Sequence, residues 1–449
     1  VAGSNKAKLD FYLQGVFRFA MDFWLALPAL VKVTLAFALI LVLTRTKVPL
    51  SGALLIGGIA LGLMTGMTWA GIAATLAGAF WETQTLSLAL IVGLILIMSR
   101  LMKDSGQLDR LVAGFARVVR SVRVSSMVMP ALIGLLPMPG GALFSAPMVE
   151  AASRGSDLDP ELKAMINYWF RHIWEYWWPL YPGLVLAVSL LGIEPWWFMA
   201  FQFPLTVVSV LGGAWFIIRL VPRPEPLGEN PPDLNQSRWL DFRREVRPIT
   251  ALVLTIPAVA LVQWATGLAF PPLTAVFLGL GLCLVMVIRQ NHITPAQAAR
   301  SILDKSLPPM LLLVFGIMAF KGVLVQSRVV AEIQAELAAF GIPPVLIIVL
   351  LPFLSGFITG IAIGFVGSSF PLVVPLFAQH QGLDFLAYGS LAFTFGFMGM
   401  MLSPVHLCFM FSSDYFSASL WKGYRYLTGP VLLVLAGALI SFSLARWVL

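Results

Sequence analysis

The sequence predicts an all-α polytopic membrane protein built as two inverted repeats of five transmembrane helices. Each repeat carries a re-entrant helical hairpin and a broken helix. Three observations lead there. First, the 449-residue chain is 59% hydrophobic and only 11% charged, against a usual charged share of about 25%. Several apolar runs exceed the roughly 18 residues needed to cross about 30 Å of hydrocarbon. Second, two of those runs are interrupted by Gly, Ser and Pro, at Leu136–Met148 and around Gly367–Val373. A bilayer offers backbone amides no water, so such a break persists only when buried in protein or lining a cavity. A matched pair, one per half, points to a transporter's binding site. Third, Lys and Arg are distributed unevenly between alternate connections.

Taken in order, residues 1–24 form a tail with an amphipathic interfacial helix over 9–24. No short apolar core with a small-x-small site stands there, so no cleavable signal peptide is expected. Repeat 1 covers 25–220. Its scaffold part (25–123) holds spans at 26–44, 49–67 and 84–102, a surface helix at 69–82, and an Arg-studded interfacial helix at 108–123. Its hairpin and transport part (124–220) holds a hairpin at 125–152, a span at 164–191 broken near Pro179–Gly183, and a span at 196–219. A hydrophilic, cytoplasmic linker covers 221–247. Repeat 2 (248–449) then restarts the pattern. Its scaffold part (248–341) holds spans at 248–269, 272–289 and 307–326 and an amphipathic helix at 328–340. Its transport part (342–449) holds a hairpin at 343–379, a broken span at 384–410 and a last span at 427–447.

The repeat rests on shared offsets. Pro147 and Pro371 are 224 residues apart, and Pro179 and Pro404, each breaking a later span, are 225 apart. Ser145 falls on Ser369, and Phe170–Pro179 pairs with Phe395–Pro404, which sets Arg171 opposite Gly396. Five crossings per half would invert the second copy. With the linker inside, the inside segments hold 21 Lys/Arg and the outside segments only Lys6, Lys8, Arg18, Arg328 and Arg446. Positive charge on the cytoplasmic side fits that orientation, with both termini outside.

The hairpin tips are the first candidates for chemistry. Pro139, Gly140, Gly141 and Ser145 in one half, and Thr359, Gly360, Gly367, Ser368 and Ser369 in the other, put amides and hydroxyls at membrane depth. Half-helix N-termini attract anions and unwound carbonyls attract Na+, so Na+ is the metal these tips admit. The bland alternative is that small residues only let helices pack closely. The fourth span is the second candidate: Asn167, Arg171 and Glu175 recur every four residues on one helix face. A charge at the bilayer centre costs at least about 2.5–3.5 kcal/mol and usually faces a cavity or a partner. Arg171 is read as an anion ligand or gate, with an internal Arg171–Glu175 ion pair as the structural alternative. His172, Glu175, Ser403 and His406 are the candidates for ion coupling. Lys321, near a span end, is expected to snorkel to the interface, and Asp414 to be solvated.

Several classes are excluded. The net charge of +8 comes from basic residues between spans, so no nucleic-acid partner is expected. No nucleotide loop or His-Glu-x-x-His pattern occurs, so neither a nucleotide nor an organic cofactor is expected. Cys283 and Cys408 lie in apolar runs, which suggests neither disulfide nor zinc chemistry.

Leu402-Ser-Pro-Val-His-Leu-Cys408 and the Pro-Met-Pro-Gly-Gly hairpin complete a pattern that resembles the ion transporter superfamily. Within it the chain looks most similar to a family of uncharacterised prokaryotic integral membrane proteins. The resemblance spans residues 25–449. It implies an elevator mechanism in a prokaryotic cytoplasmic (inner) membrane: a dimeric scaffold made from the first three spans of each half, and a transport domain that slides. The Ser-Asn-Thr tip motif of dicarboxylate symporters is replaced by Pro-Gly-Gly and Gly-Ser-Ser. The expected function is secondary active transport of a small organic anion, a carboxylate, coupled to Na+ or H+, by a homodimer in the lipid bilayer and with no enzymatic step. The alternatives are an ion-selective channel on the same half-helices, and an intramembrane hydrolase using Ser368 or Ser369 with His406.

Overall fold

The computed structural model describes residues 23–116, 121–138, 141–153, 158–222, 236–271 and 273–447. Among them the chain is helical, with no strand. Pro139 and Gly140 of the first tip, most of the 9–24 helix, Arg117, Arg120 and linker residues 223–235 lie outside the described residues.

The first half runs α1 (Ala29–Thr44), α2 (Leu50–Met64), α3 (Trp69–Gly78), α4 (Thr83–Asp104), α5 (Gln107–Ala116), α6 (Val122–Gly134), α7 (Ala142–Ala152), α8 (Pro160–Arg171), α9 (Pro182–Leu191) and α10 (Pro195–Phe216). The second runs α11 (Gln236–Thr266), α12 (Thr274–Gln290), α13 (Pro295–Ile302), α14 (Leu307–Gln326), α15 (Val329–Phe340), α16 (Pro344–Thr359), α17 (Ala362–Val373), α18 (Gly382–Met401), α19 (Leu407–Tyr415) and α20 (Leu420–Trp447). Among the described residues, six helices are long and apolar enough to cross a membrane: those within Thr83–Asp104, Pro195–Leu220, Phe242–Thr266, Leu307–Gln326, Gly382–Met401 and Leu420–Trp447. The chain is a multi-pass membrane protein.

Three local differences from the sequence reading have physical causes. The linker is helical from Gln236, and α11 runs unbroken into its apolar part. Helix α13 was hidden in a connection, although its start is marked: Thr294 and Gln297 form a reciprocal capping box, and Pro295 opens the helix. The fourth span stops at Arg171, well before Pro179, so Glu175 does not share a helix face with Asn167 and Arg171.

Packing sorts the helices into two groups, each drawn from both halves. In one, α2 packs on α14, α4 on α12 and α14, α11 on α12, and α15 on α1. There Glu336 of α15 accepts from the free amides of Ala29 and Leu30 at 2.6 and 2.8 Å, capping α1. In the other, α6 packs on α7 and α8, α16 on α17 and α18, α10 and α18 on α20, and α19 on α7 and α8. The groups meet mainly where α4 touches α9 and α14 touches α17, and also where α10 touches α11 and α1 touches α16. Lys321 of α14 belongs to that seam. It is half-buried and donates to Gln84 Oε1 at 2.7 Å, while Gln84 Nε2 reaches the Ser189 carbonyl of α9 at 2.6 Å. Asp414 is exposed, as expected.

Candidate functional site

The site is built from chain breaks, and each break needs partners for the backbone groups it frees. Between α8 and α9, residues 172–181 leave the helix in short turns, with His172 N–H bonded to Trp169 O at 3.1 Å and Glu175 N–H to His172 O at 3.2 Å. Pro179 and Pro182 keep the helix from resuming along this stretch: Pro lacks an amide and disfavours helical geometry in the residue before it. The side chains released there cap α6. Trp174 Nε1 donates to Ala131 O at 2.7 Å, Trp178 Nε1 to Leu135 O at 2.9 Å, and Tyr181 Oη to Gly134 O at 2.5 Å. These are terminal carbonyls that α6 leaves unpaired. The second half repeats the device at the end of α18, where Tyr168 and Tyr424 donate to the carbonyls of Met401 and Leu402 at 3.0 and 2.8 Å.

The α6–α7 and α16–α17 breaks and the two span breaks converge on one cavity of about 200 Å3. Pro137, Met138, Arg171, His172, Glu175, Tyr181, Gly360, Ile361, His406 and Cys408 supply most of its wall, and Leu96, Met310 and Leu313 close it from the other helix group. Arg171, at 2% exposure, donates through Nη2 to Met138 O at 2.9 Å and through Nη1 to Cys408 Sγ at 3.3 Å. Among the described residues its Nε is buried without a partner. Neither partner is a carboxylate. Glu175 instead lies 3.7 Å from His172 Nε2 and interacts with Tyr181. His172 Nδ1 sits 2.6 Å from Tyr168 O, and its Nε2 is 3.2 Å from His406 Nε2, joining the two span breaks.

Glycines set these distances. A methyl group on Gly141 would collide with the Arg171 guanidinium, and one on Gly134 with the Arg171 carbonyl. Gly360 ends α16 with φ +65°, and a Cβ there would lie 3.0 Å from His406 N. A left-handed conformation costs an ordinary side chain roughly 1–2 kcal/mol. Gly360→Ala is therefore expected to lower stability in thermal unfolding by about that amount, and Gly360→Asn by less, since Asn tolerates this region.

Of the expected site residues, Gly141, Arg171, His172, Glu175, Gly360, Ser403 and His406 come together at or beside the cavity. Ser403 is buried, with its Oγ 3.4 Å from Val405 N and close to Gly360. Others are engaged elsewhere. Asn167 Nδ2 donates to Ala142 O and Ser412 Oγ at 3.0 and 2.9 Å, while its Oδ1 is buried and unpaired. Ser145 Oγ approaches Gly141 O and Ala142 O at 3.4 Å. Thr359 Oγ1 donates to Ser355 O at 2.7 Å. Gly367 packs on Ile317. Ser368 and Ser369 bond back to the carbonyls of Gly364 and Phe365 at 2.7 and 2.5 Å. Cys408 and Tyr181 join the wall although their apolar sequence contexts point to the core; only their positions beside the paired Pro breaks signal more.

The comparison with curated proteins finds no match. The family model described as "Protein of unknown function (DUF401)" matches residues 29–445, and the chain belongs to that family.

Proposed function

We propose that this protein is a secondary active transporter for a small organic anion of the carboxylate class, driven by Na+ or H+. One observation carries the reading: Arg171, buried on the wall of a cavity of about 200 Å3, has, among the described residues, no carboxylate hydrogen-bonded to it and an unpaired Nε. A buried charge is costly without a hydrogen-bonded counter-charge, and the planar guanidinium fork suits a carboxylate. The anion would then supply what the chain does not. The cavity's size suits a molecule smaller than a drug-sized ligand.

Transport, rather than binding alone, is supported by the repeat. Gly134 approaches the Arg171 carbonyl, and Gly356 approaches the Gly396 carbonyl. Arg171 and Gly396 are the positions that the Pro179–Pro404 offset pairs, so both halves use one contact between a hairpin arm and a broken span. Two re-entrant hairpins in inverted halves, and a place in the ion transporter superfamily, follow from this reading. The two helix groups correspond to a scaffold and a sliding transport domain, with the anion carried against Leu96, Met310 and Leu313. Lys/Arg asymmetry sets the linker inside and both termini outside a prokaryotic inner membrane, and a homodimer through the scaffold completes the proposal.

Thermal unfolding of the purified protein against small carboxylates, with and without Na+, tests the ligand class. A ligand at 100 times its dissociation constant is expected to stabilise by about 2.7 kcal/mol. A shift needing both anion and Na+ supports Na+ symport; a shift with anion alone directs the test to uptake under an imposed proton gradient. No shift with any carboxylate removes the substrate class.

A further inference from the structure

We infer that His172, His406 and Cys408 form a binding site for a borderline-to-soft transition-metal ion of the Zn2+ class, on the wall of the same cavity. This goes beyond anion transport, although His172 and His406 are also the coupling-ion candidates and Cys408 bonds Arg171. Their donor atoms lie within 4.8 Å of one another, and all three residues are buried. They come from two chain breaks far apart in sequence, so only the fold assembles them.

The geometry suits ligands better than a plain core contact. Tyr168 O can only accept, so the 2.6 Å contact puts the His172 proton on Nδ1. The lone pair of Nε2 then faces His406 Nε2 at 3.2 Å. His406 Nδ1 is buried, makes no well-formed hydrogen bond among the described residues, and turns to the backbone of Gly360. With its proton there, both Nε2 lone pairs face each other and a cation between them would satisfy both; with the proton on Nε2, His406 instead donates to His172 Nε2. Metal-binding histidines are typically oriented in this way, the second ring nitrogen donating to a backbone carbonyl. Zn–N bonds of about 2.0–2.1 Å give a tetrahedral N···N edge of roughly 3.3 Å, close to the observed separation.

Imidazole and thiolate together select Zn2+ or its chemical neighbours over Mg2+ or Ca2+. Arg171 Nη1 donates to Cys408 Sγ at 3.3 Å, a contact that suits a thiolate. Glu175, 3.7 Å from His172 Nε2, lies beside this three-residue cluster and outside it. The Cys408 thiolate would then be shared between the ion and the Arg171 guanidinium.

The test is a Co2+ titration of the purified wild-type protein without any organic anion, so that it fails independently of the transport reading. One Co2+ per chain is expected, with intense tetrahedral d–d bands and a sulfur-to-cobalt charge-transfer band, both displaced by Zn2+. Cys408→Ser should lose the charge-transfer band, and His172→Gln and His406→Gln should each weaken binding at least tenfold. Absence of visible bands at millimolar Co2+, or a charge-transfer band that survives in Cys408→Ser, overturns the site. Should Cys408→Ser fail to fold, the Cys283→Ser protein provides a second readout. Zn2+ is expected to slow alkylation of its remaining thiol at least tenfold; unchanged alkylation also overturns the site.

Discussion

Arg171→Gln is expected to reduce anion uptake into proteoliposomes by two orders of magnitude or more, while the protein still folds. Removing one member of a buried, hydrogen-bonded charge pair costs about 2–5 kcal/mol, and about 2.7 kcal/mol is a hundredfold. Stability separates the two roles open to this side chain. If Arg171 were a structural ion pair, its loss would cost about 3–5 kcal/mol, because a buried partner charge would be left alone. As an anion ligand it has no carboxylate hydrogen-bonded to it among the described residues, so the Gln variant should stay close to wild type in stability without substrate. Gln can keep a donor toward the Met138 carbonyl, which Arg171 now holds at 2.9 Å. The variant should also lose all stabilisation by carboxylates. Arg171→Lys retains charge without the fork and is expected to fall between, at roughly a tenfold loss. Wild-type uptake by the Gln variant would remove Arg171 from the site.

Much of this architecture was legible because a bilayer permits few solutions. Apolar length marked α4, α10, α14 and α18, and the end of α14 at Gln326 matches the expected boundary. The Pro breaks marked the region of the cavity, since Pro179 and Pro404 leave carbonyls needing partners. Which side chains meet the free carbonyls at the end of α6 is not legible. Trp174, Trp178 and Tyr181 lie in an aromatic run that reads equally well as core, and their roles appear only once α6 is seen to stop beside them. The stop at Arg171 was misplaced because a Pro states where a helix cannot continue, not where tertiary hydrogen bonds end it earlier. The partners of the hydroxyls are not legible for a related reason. Ser368 and Ser369 satisfy themselves on carbonyls one helical turn back, a choice that spacing cannot reveal. Cys408 was invisible as a neighbour of His172 because their proximity depends wholly on how the two breaks dock.

Gly356→Ala is expected to destabilise the protein by about 1–3 kcal/mol or more, the usual range for forcing atoms into a packed interior. Its Cβ would fall on the Gly396 carbonyl oxygen and lie 2.7 Å from Met400 N. Both obstacles are backbone, so no side-chain rotation relieves them and α16 must move from α18. Gly399 makes the reciprocal approach to the Phe353 carbonyl, so the two helices meet through glycines on both sides. In the first half, Gly134→Ala is expected to cost a similar amount and, in addition, to impair uptake, because the group it displaces is the Arg171 backbone. Gly281→Ala is the control: it lies within α12, where a Cβ meets nothing within 4 Å, and Ala is better than Gly in a helix by roughly 0.5–1 kcal/mol. Thermal unfolding of the three variants reads the difference directly. Equal losses at Gly134 and Gly356, with none at Gly281, would mean that both halves depend on one packing solution, with the functional charge added to only one of them. An unchanged unfolding temperature for Gly356→Ala would refute the close approach of α16 to α18 and, with it, the packing correspondence that supports the repeat.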